Sequence, residues 1–328
     1  MAVGGGTGLP VVLRGLKSYT ANLTALVTVS DDGGSSGRLR GELGILPPGD
    51  IRNCLVALAD TEPLMERLFQ HRFSRGEGLA GHTFGNLFIA AMTEITGDFE
   101  AAVMESSRVL KVRGTVLPST LENVALEAEL ADGRVVAGET AIVTLARESP
   151  IVRVRLAPPE PRALPAAIRA IAAADVIVLG PGSLYTSIIP NLLVPDIRRA
   201  IIQAAERGVP VALVVNVMTQ PGETTGFGAL EHLLVVRELL GTAVNWVIVN
   251  TERIPPELKE KYERDGATVV QAPPGTLERY GVRVVRGRLL DTEALAGGLE
   301  SGLVRHDADR LARAVLRVLE GAGGGAGR

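Results

Sequence analysis

Leu23-Thr24-Ala25-Leu26-Val27-Thr28-Val29-Ser30-Asp31-Asp32-Gly33-Gly34-Ser35-Ser36-Gly37-Arg38-Leu39-Arg40 is an apolar run that breaks into two carboxylates followed by glycines, serines and arginines. Leu23 to Val29 reads as a buried strand. The residues after it read as a loop at the strand's carboxyl end, where open parallel sheets bind their ligands. Such a loop can offer carboxylates to a metal ion or a sugar hydroxyl. It can also offer backbone N–H groups and guanidinium groups to phosphate. The composition is that of a nucleotide-handling loop and leaves the nucleotide open.

Outward from this stretch, apolar strand runs alternate with helical patterns, the mark of an α/β doubly wound, mostly parallel sheet. The opening strand is only Met1-Ala2-Val3, running into Gly4-Gly5-Gly6-Thr7-Gly8; so short a strand suggests a natural start upstream of Met1. Helices are expected at 10–17, from Asp50 with Asp50 as its N-cap after Pro47-Pro48-Gly49, from about Thr83, at 165–173 and at 307–319. Further strands are expected at 175–179, 210–217, 246–249 and 268–271. Residues 115–155, with an Asp132-Gly133 turn and the short runs Val135-Val136 and 141–145, read as a small antiparallel insertion. A single domain over 1–320 and a flexible glycine-rich tail over 321–328 complete the organisation, with no internal repeat.

Composition excludes several classes of function. The 328 residues carry a net charge of −3 and show no basic block, which argues against nucleic acid as the main ligand. Cys54 is the lone cysteine, so an internal disulfide and a multi-cysteine metal site are excluded. Apolar runs are strand-length, far short of a membrane span, and no signal peptide precedes them. The expectation is a soluble, cytoplasmic protein, with a homodimer plausible.

The candidate site residues gather at loops. Gly5, Gly6, Thr7 and Gly8 form a strand-to-helix turn where backbone N–H groups can approach phosphate. Leu9 stands where the dinucleotide fingerprint needs glycine, and Lys17-Ser18 lacks Walker spacing. A plain tight turn would use the same glycines. Asp31 and Asp32 could merely cap a turn; alternatively one binds Mg²⁺ while the other holds a hydroxyl or acts as base. Ser35, Ser36 and Arg38 extend that loop. Arg52 and Asn53, beside Asp50 in a helical first turn, place a cation where the helix dipole disfavours it, which suits an anionic partner. His82 and Asn86 open another helix, and no second histidine sits at metal-ligand spacing, which makes zinc improbable. Gly180, Gly182, Ser183, Tyr185 and Thr186 make a second anion-binding candidate after a strong strand. Asn216 and Asn250 end strands and could read a base edge or cap their loops. Tyr262 could stack on a base, and Arg305, before Asp307 as N-cap of the last helix, could meet phosphate or sugar.

Taken together, Gly4–Leu9, Asp31–Gly37, Pro47–Asn53, Gly81-His82 with Gly85-Asn86, Gly180–Thr186 and Arg305-His306-Asp307 resemble, in order and across nearly the whole chain, the gluconeogenesis factor (YvcK) family of the CofD-like superfamily. The resemblance implies a Rossmann-like fold and a regulator needed for normal cell shape on gluconeogenic carbon sources. It also implies binding of UDP-sugars, UDP-N-acetylglucosamine especially, through Tyr262 and Arg305 beside the glycine loops. The related CofD branch, the 2-phospho-lactate transferases, uses a guanine nucleotide and Mg²⁺, with the acids matching Asp31 and Asp32 at the reaction centre. Two readings therefore stand side by side: a UDP-sugar-binding regulator with no established reaction, or a Mg²⁺-dependent phosphoryl or nucleotidyl transferase.

Overall fold

The computed structural model describes residues 1–60, 63–291 and 304–323. Strands β1 (Ala2–Gly4), β2 (Thr24–Val27) and β3 (Thr115–Pro118) pair in parallel. Strands β4 (Ala125–Leu130), β5 (Val135–Ala137) and β6 (Ile151–Ala157) form a separate antiparallel sheet in the order β5-β4-β6. The chain then returns to the main sheet with β7 (Ile177–Leu179), β8 (Val211–Val214), β9 (Trp246–Asn250) and β10 (Arg283–Gly287). The seven-stranded parallel order is β10-β9-β8-β7-β1-β2-β3. From β1 the chain builds outward through β2 and β3, then restarts beside β1 with β7 and builds the other way. The crevice between β1 and β7 is thus the topological switch point where doubly wound sheets bind ligands.

The helices in the first half are α1 (Leu9–Leu16), α2 (Gly34–Leu43), α3 (Gly49–Leu58), α4 (Pro63–Gln70), α5 (Phe84–Thr96), α6 (Phe99–Val109) and α7 (Glu139–Leu145). Those in the second half are α8 (Pro165–Ala172), α9 (Ile189–Leu193), α10 (Pro195–Glu206), α11 (Ala229–Leu240), α12 (Pro256–Arg264) and α13 (Ala308–Gly323). Helices cover both faces of the sheet, which is why β8 is buried at every position and reads as an uninterrupted apolar run.

Several expectations are corrected. The loop after β2 does not stay a loop: from Gly34 it winds into α2. Asp50 lies inside the first turn of α3 instead of capping it, because Pro48 holds the N-cap position. β3 belongs to the main sheet, so the insertion begins later, and the apolar run 141–145 is helical, within α7. Residues 268–271 make only a bridge to Met218 across the loop after β8. The sheet edge goes instead to Arg283–Gly287, where two arginines flank a pair of valines. Gly321 to Gly323 form the last turn of α13, and residues 324–328 lie outside the described residues. Asp307 does cap α13, its Oδ1 accepting from the Arg310 N–H at 2.7 Å.

α1 crosses α13 where Gly15 removes any side chain: a Cβ there would stand 1.9 Å from the Ala308 carbonyl oxygen. Gly15→Ala should therefore lower stability by about 1–3 kcal/mol. Gly41→Ala in α2, whose Cβ would meet nothing within 4 Å, should raise it by up to ~1 kcal/mol. Chemical denaturation midpoints of the two variants check the pair.

Candidate ligand cleft at the switch point

The loop after β1 and the loop after β7 lie against each other. A Cβ on Gly8 would sit 2.4 Å from the Pro181 carbonyl oxygen, and one on Gly5 would sit 2.6 Å from Asp50 Oδ2. Gly6, at φ +62°, takes the left-handed conformation that glycine tolerates. The Asn216 amide brackets Gly182, with Nδ2 donating to its carbonyl at 2.8 Å and Oδ1 accepting from its N–H at 3.1 Å. Gln220 Nε2 donates to Ser183 Oγ at 2.7 Å. Between the loops opens a cleft of about 240 Å³. It brings together eight residues marked out from the sequence: Gly6, Thr7, Gly8, Gly182, Ser183, Asn216, Tyr262 and Arg305. Tyr262 Oη accepts from the Val304 N–H at 2.7 Å, which leaves its own proton to donate.

His306 shares that wall, a role the sequence did not suggest. It is 7% exposed, its Nε2 is buried without a hydrogen-bond partner, and burial lowers its pKa to about 4, so the ring is neutral.

The remaining expected binding residues are engaged elsewhere. Arg52 donates to Thr83 Oγ1 (2.5 Å), Asn86 Oδ1 (3.0 Å) and Asn53 Oδ1 (2.6 Å). Asn86 Nδ2 donates to Ser35 Oγ, which lies 3.0 Å from His82 Nδ1. Ser36 Oγ accepts from the Gly49 N–H. These contacts tie together the amino ends of α2, α3 and α5, so the residue types expected for an anion site serve first as an internal network. Arg38 donates to the Ala80 carbonyl. Asn250 caps its own turn, accepting from the Glu252 and Leu289 N–H groups. Tyr185 is buried against Phe227, with ring centroids 6.5 Å apart, and Thr186 is buried beneath the loop that Gly180 begins.

Asp31 and Asp32 part company. Asp32 Oδ1 accepts from the Thr140 N–H and hydroxyl at 3.1 and 3.2 Å. Gly138, at φ +92°, leaves room for its other oxygen, 2.1 Å from where a Cβ would be. Asp32 therefore pins the insertion by the amino end of α7. Asp31 Oδ1 accepts from the Gly33 N–H, and its Oδ2 lies over the start of α3.

Asp50 Oδ2 accepts from the Gly6 N–H at 2.7 Å and carries a pKa raised to about 6, chiefly by desolvation and then, against the Gly6 bond, by Asp31. α7 delivers Glu139, raised to about 9 by desolvation and by Asp31, Asp50 and Glu223. Glu223, 6% exposed, accepts from the Tyr185 N–H and the Thr186 hydroxyl, each at 3.0 Å. Burial raises its pKa too. Four carboxylates from four separate segments thus crowd beside the glycine loops. Glu139 and Glu223 were not read from the sequence. Glu223 follows a strand end, in Gln220–Thr225, which is the one signal that could have marked it. Among the described residues, no group of three or more His, Cys, Asp or Glu is arranged to hold a metal ion, and no helix is long and apolar enough to cross a membrane.

The family model described as 2-phospho-L-lactate transferase CofD matches residues 1–290. The chain is 49% identical over 318 residues to the gluconeogenesis factor of Bacillus subtilis, covering 97% of this chain and 96% of that protein. It is 48% identical over 314 residues to the gluconeogenesis factor of Halalkalibacterium halodurans, covering 95% and 94%. A crystal structure of a UPF0052 family member from Bacillus halodurans superposes with a TM-score of 0.89 at 46% identity, over 96% of this chain and 97% of that one. Matches of this length and identity show that the chain belongs to the CofD family and, within it, to the gluconeogenesis factors.

Proposed function

We propose that this protein is a regulator that binds a UDP-sugar, UDP-N-acetylglucosamine above all, and supports cell shape during growth on gluconeogenic carbon sources. The observation that carries the reading is the cleft between the β1 and β7 loops, with Tyr262 and Arg305 on its wall. Thr7 and Gly8, at the amino end of α1, suit the diphosphate. The Arg305 guanidinium suits a phosphate or sugar oxygen, and the Tyr262 hydroxyl can donate to a carbonyl or hydroxyl. Isothermal titration with UDP-N-acetylglucosamine, GDP and GTP, with and without Mg²⁺, tests it. Uridine-specific binding with the ligand recovered intact is expected. Arg305→Ala should weaken that binding roughly 10- to 100-fold, the worth of one charge-assisted hydrogen bond. Guanine preference that depends on Mg²⁺ would sink the reading.

The crowded carboxylates favour a second reading, a Mg²⁺-dependent transferase of a phosphorus-containing group. Hard oxygen donors beside a phosphate site fit Mg²⁺, but Asp32 is committed to α7. Asp31, together with the ligand's phosphates, would hold the ion, which would supply charge neutralisation at the transferring phosphorus. Asp31→Asn separates the two readings: a transferase loses its rate, whereas a sensor loses only affinity or its response to Mg²⁺.

A further inference from the structure

We propose that Gln220 is a positioning residue, which makes the Ser183 hydroxyl a fixed hydrogen-bond donor to the diphosphate of the bound ligand. The inference rests on the nucleotide reading of the cleft and adds the side chain that sets the polarity of one wall.

The polarity starts at main-chain groups. The Gly182 N–H donates to Asn216 Oδ1 at 3.1 Å, and the Gly182 carbonyl accepts from Asn216 Nδ2 at 2.8 Å, so the Asn216 amide cannot be turned over. The same Nδ2 donates to Gln220 Oε1 at 3.4 Å. The Gln220 amide is thereby set with its oxygen toward Asn216 and its nitrogen toward Ser183, where Nε2 donates to Oγ at 2.7 Å. The backbone of Gln220 is held as well. Its N–H donates to Thr224 Oγ1 at 2.9 Å, and its carbonyl accepts from the Glu223 and Thr224 N–H groups. The side-chain bonds all run one way, from Asn216 through Gln220 to Ser183.

A serine hydroxyl has one proton to give. With Gln220 donating to Oγ, that proton is left for another acceptor. Ser183 lines the cleft and is only half-buried. It follows Gly182, whose nitrogen stands 2.9 Å from where a Cβ of Gly8 would be, at the amino end of α1. A helix start of that kind suits the diphosphate. Within the protein, Glu223 competes for the Ser183 proton, but its oxygens already accept from the Tyr185 N–H and the Thr186 hydroxyl. A phosphate oxygen arriving in the cleft brings charge and unfilled lone pairs, and charge-assisted bonds are the stronger ones.

The test is a double-mutant cycle on the full chain, read by isothermal titration with UDP-N-acetylglucosamine and with UDP. Ser183→Ala should weaken both ligands roughly 10- to 100-fold, since both carry the diphosphate. Ser183→Thr, which keeps the hydroxyl, should retain most of the affinity. Gln220→Met should weaken both ligands roughly 10-fold where Ser183 is present, and should cost nothing further in Ser183→Ala. That failure to add is what a merely structural role would not produce. Should Gln220→Met fail to fold, Gln220→Asn, whose amide is withdrawn from Ser183 by one carbon, takes its place with the same expectation. Additive losses, or undiminished affinity in either single variant, overturn the proposal. So does a loss confined to UDP-N-acetylglucosamine, which would place the contact on the sugar. If GDP binds and the uridine ligands do not, the uridine reading fails alone. The cycle is then run with GDP, which carries the same diphosphate, and the same outcomes decide. If none of them binds, both readings fall.

Discussion

Gly8→Ala should lose ligand binding on the order of 100-fold and lower stability by about 1–3 kcal/mol, although it adds a single methyl group. The backbone at Gly8 is helical, φ −78° and ψ −47°, which alanine adopts freely, so conformational strain is no part of the effect. What the methyl meets decides it. It would lie 2.4 Å from the Pro181 carbonyl oxygen, 2.6 Å from the carbonyl carbon and 2.9 Å from the Gly182 nitrogen. All three are main-chain atoms and cannot rotate aside. The β1 and β7 loops must then separate, and Gly182 is held on its other side by Asn216. A cleft built from two backbones in contact loses its shape when they part. Titration of the variant with UDP-N-acetylglucosamine, alongside its denaturation midpoint, measures both effects. Affinity retained within a fewfold would mean that the ligand does not bind between these loops.

This contact also shows what was legible in the sequence. Each glycine loop follows a short apolar strand, so each could be placed at a carboxyl end of the sheet. Their adjacency comes from strand order, which no local pattern encodes. Elements with strong periodicity or proline starts, such as α1, α8 and α13, stand where the sequence puts them. α2 does not announce itself: Gly34-Ser35-Ser36-Gly37 has poor helix propensity and little amphipathic pattern. Contacts such as Ser36 with Gly49 and Asn86 with Ser35 hold its first turn. Residues 141–145 are a short apolar run of the kind that periodicity cannot assign. In β10, two arginines disguise an edge strand. The polar residues at helix starts do gather in one region, but there Arg52, Asn86, Ser35 and His82 are matched to one another. Glu139 and Glu223 are lone acids in sequence, and only the docking of α7 brings them into one field.

Glu139→Gln should stabilise the protein, and the gain should grow with pH, reaching on the order of 3 kcal/mol at pH 8. Glu139 has a pKa of about 9 in the folded chain against 4.5 unfolded. Between those values the folded protein holds a proton that the unfolded chain has released. Folding stability from this group is therefore fully present below pH 4.5 and lost progressively as pH rises toward 9. Asp50, at about 6 against 3.8, acts in the same direction over a lower window. Another group tilts the natural protein's profile the opposite way. His306, lowered to about 4, is neutral in the fold above that value, so its contribution to stability rises as pH climbs from about 4 to the ordinary imidazole value. The difference between variant and natural protein cancels those contributions and isolates Glu139. Denaturation of both proteins at pH 5, 6.5 and 8 measures it: near zero at pH 5 and rising with each step is the expected result. A difference independent of pH would mean that Glu139 ionises normally and that the carboxylates do not share a field. If the gain appears, the natural chain keeps a buried acid that destabilises it, beside the glycine loops of the cleft. Such a group is retained where ligand binding depends on it. Titration of Glu139→Gln with UDP-N-acetylglucosamine and Mg²⁺ should then show weaker binding in the more stable protein.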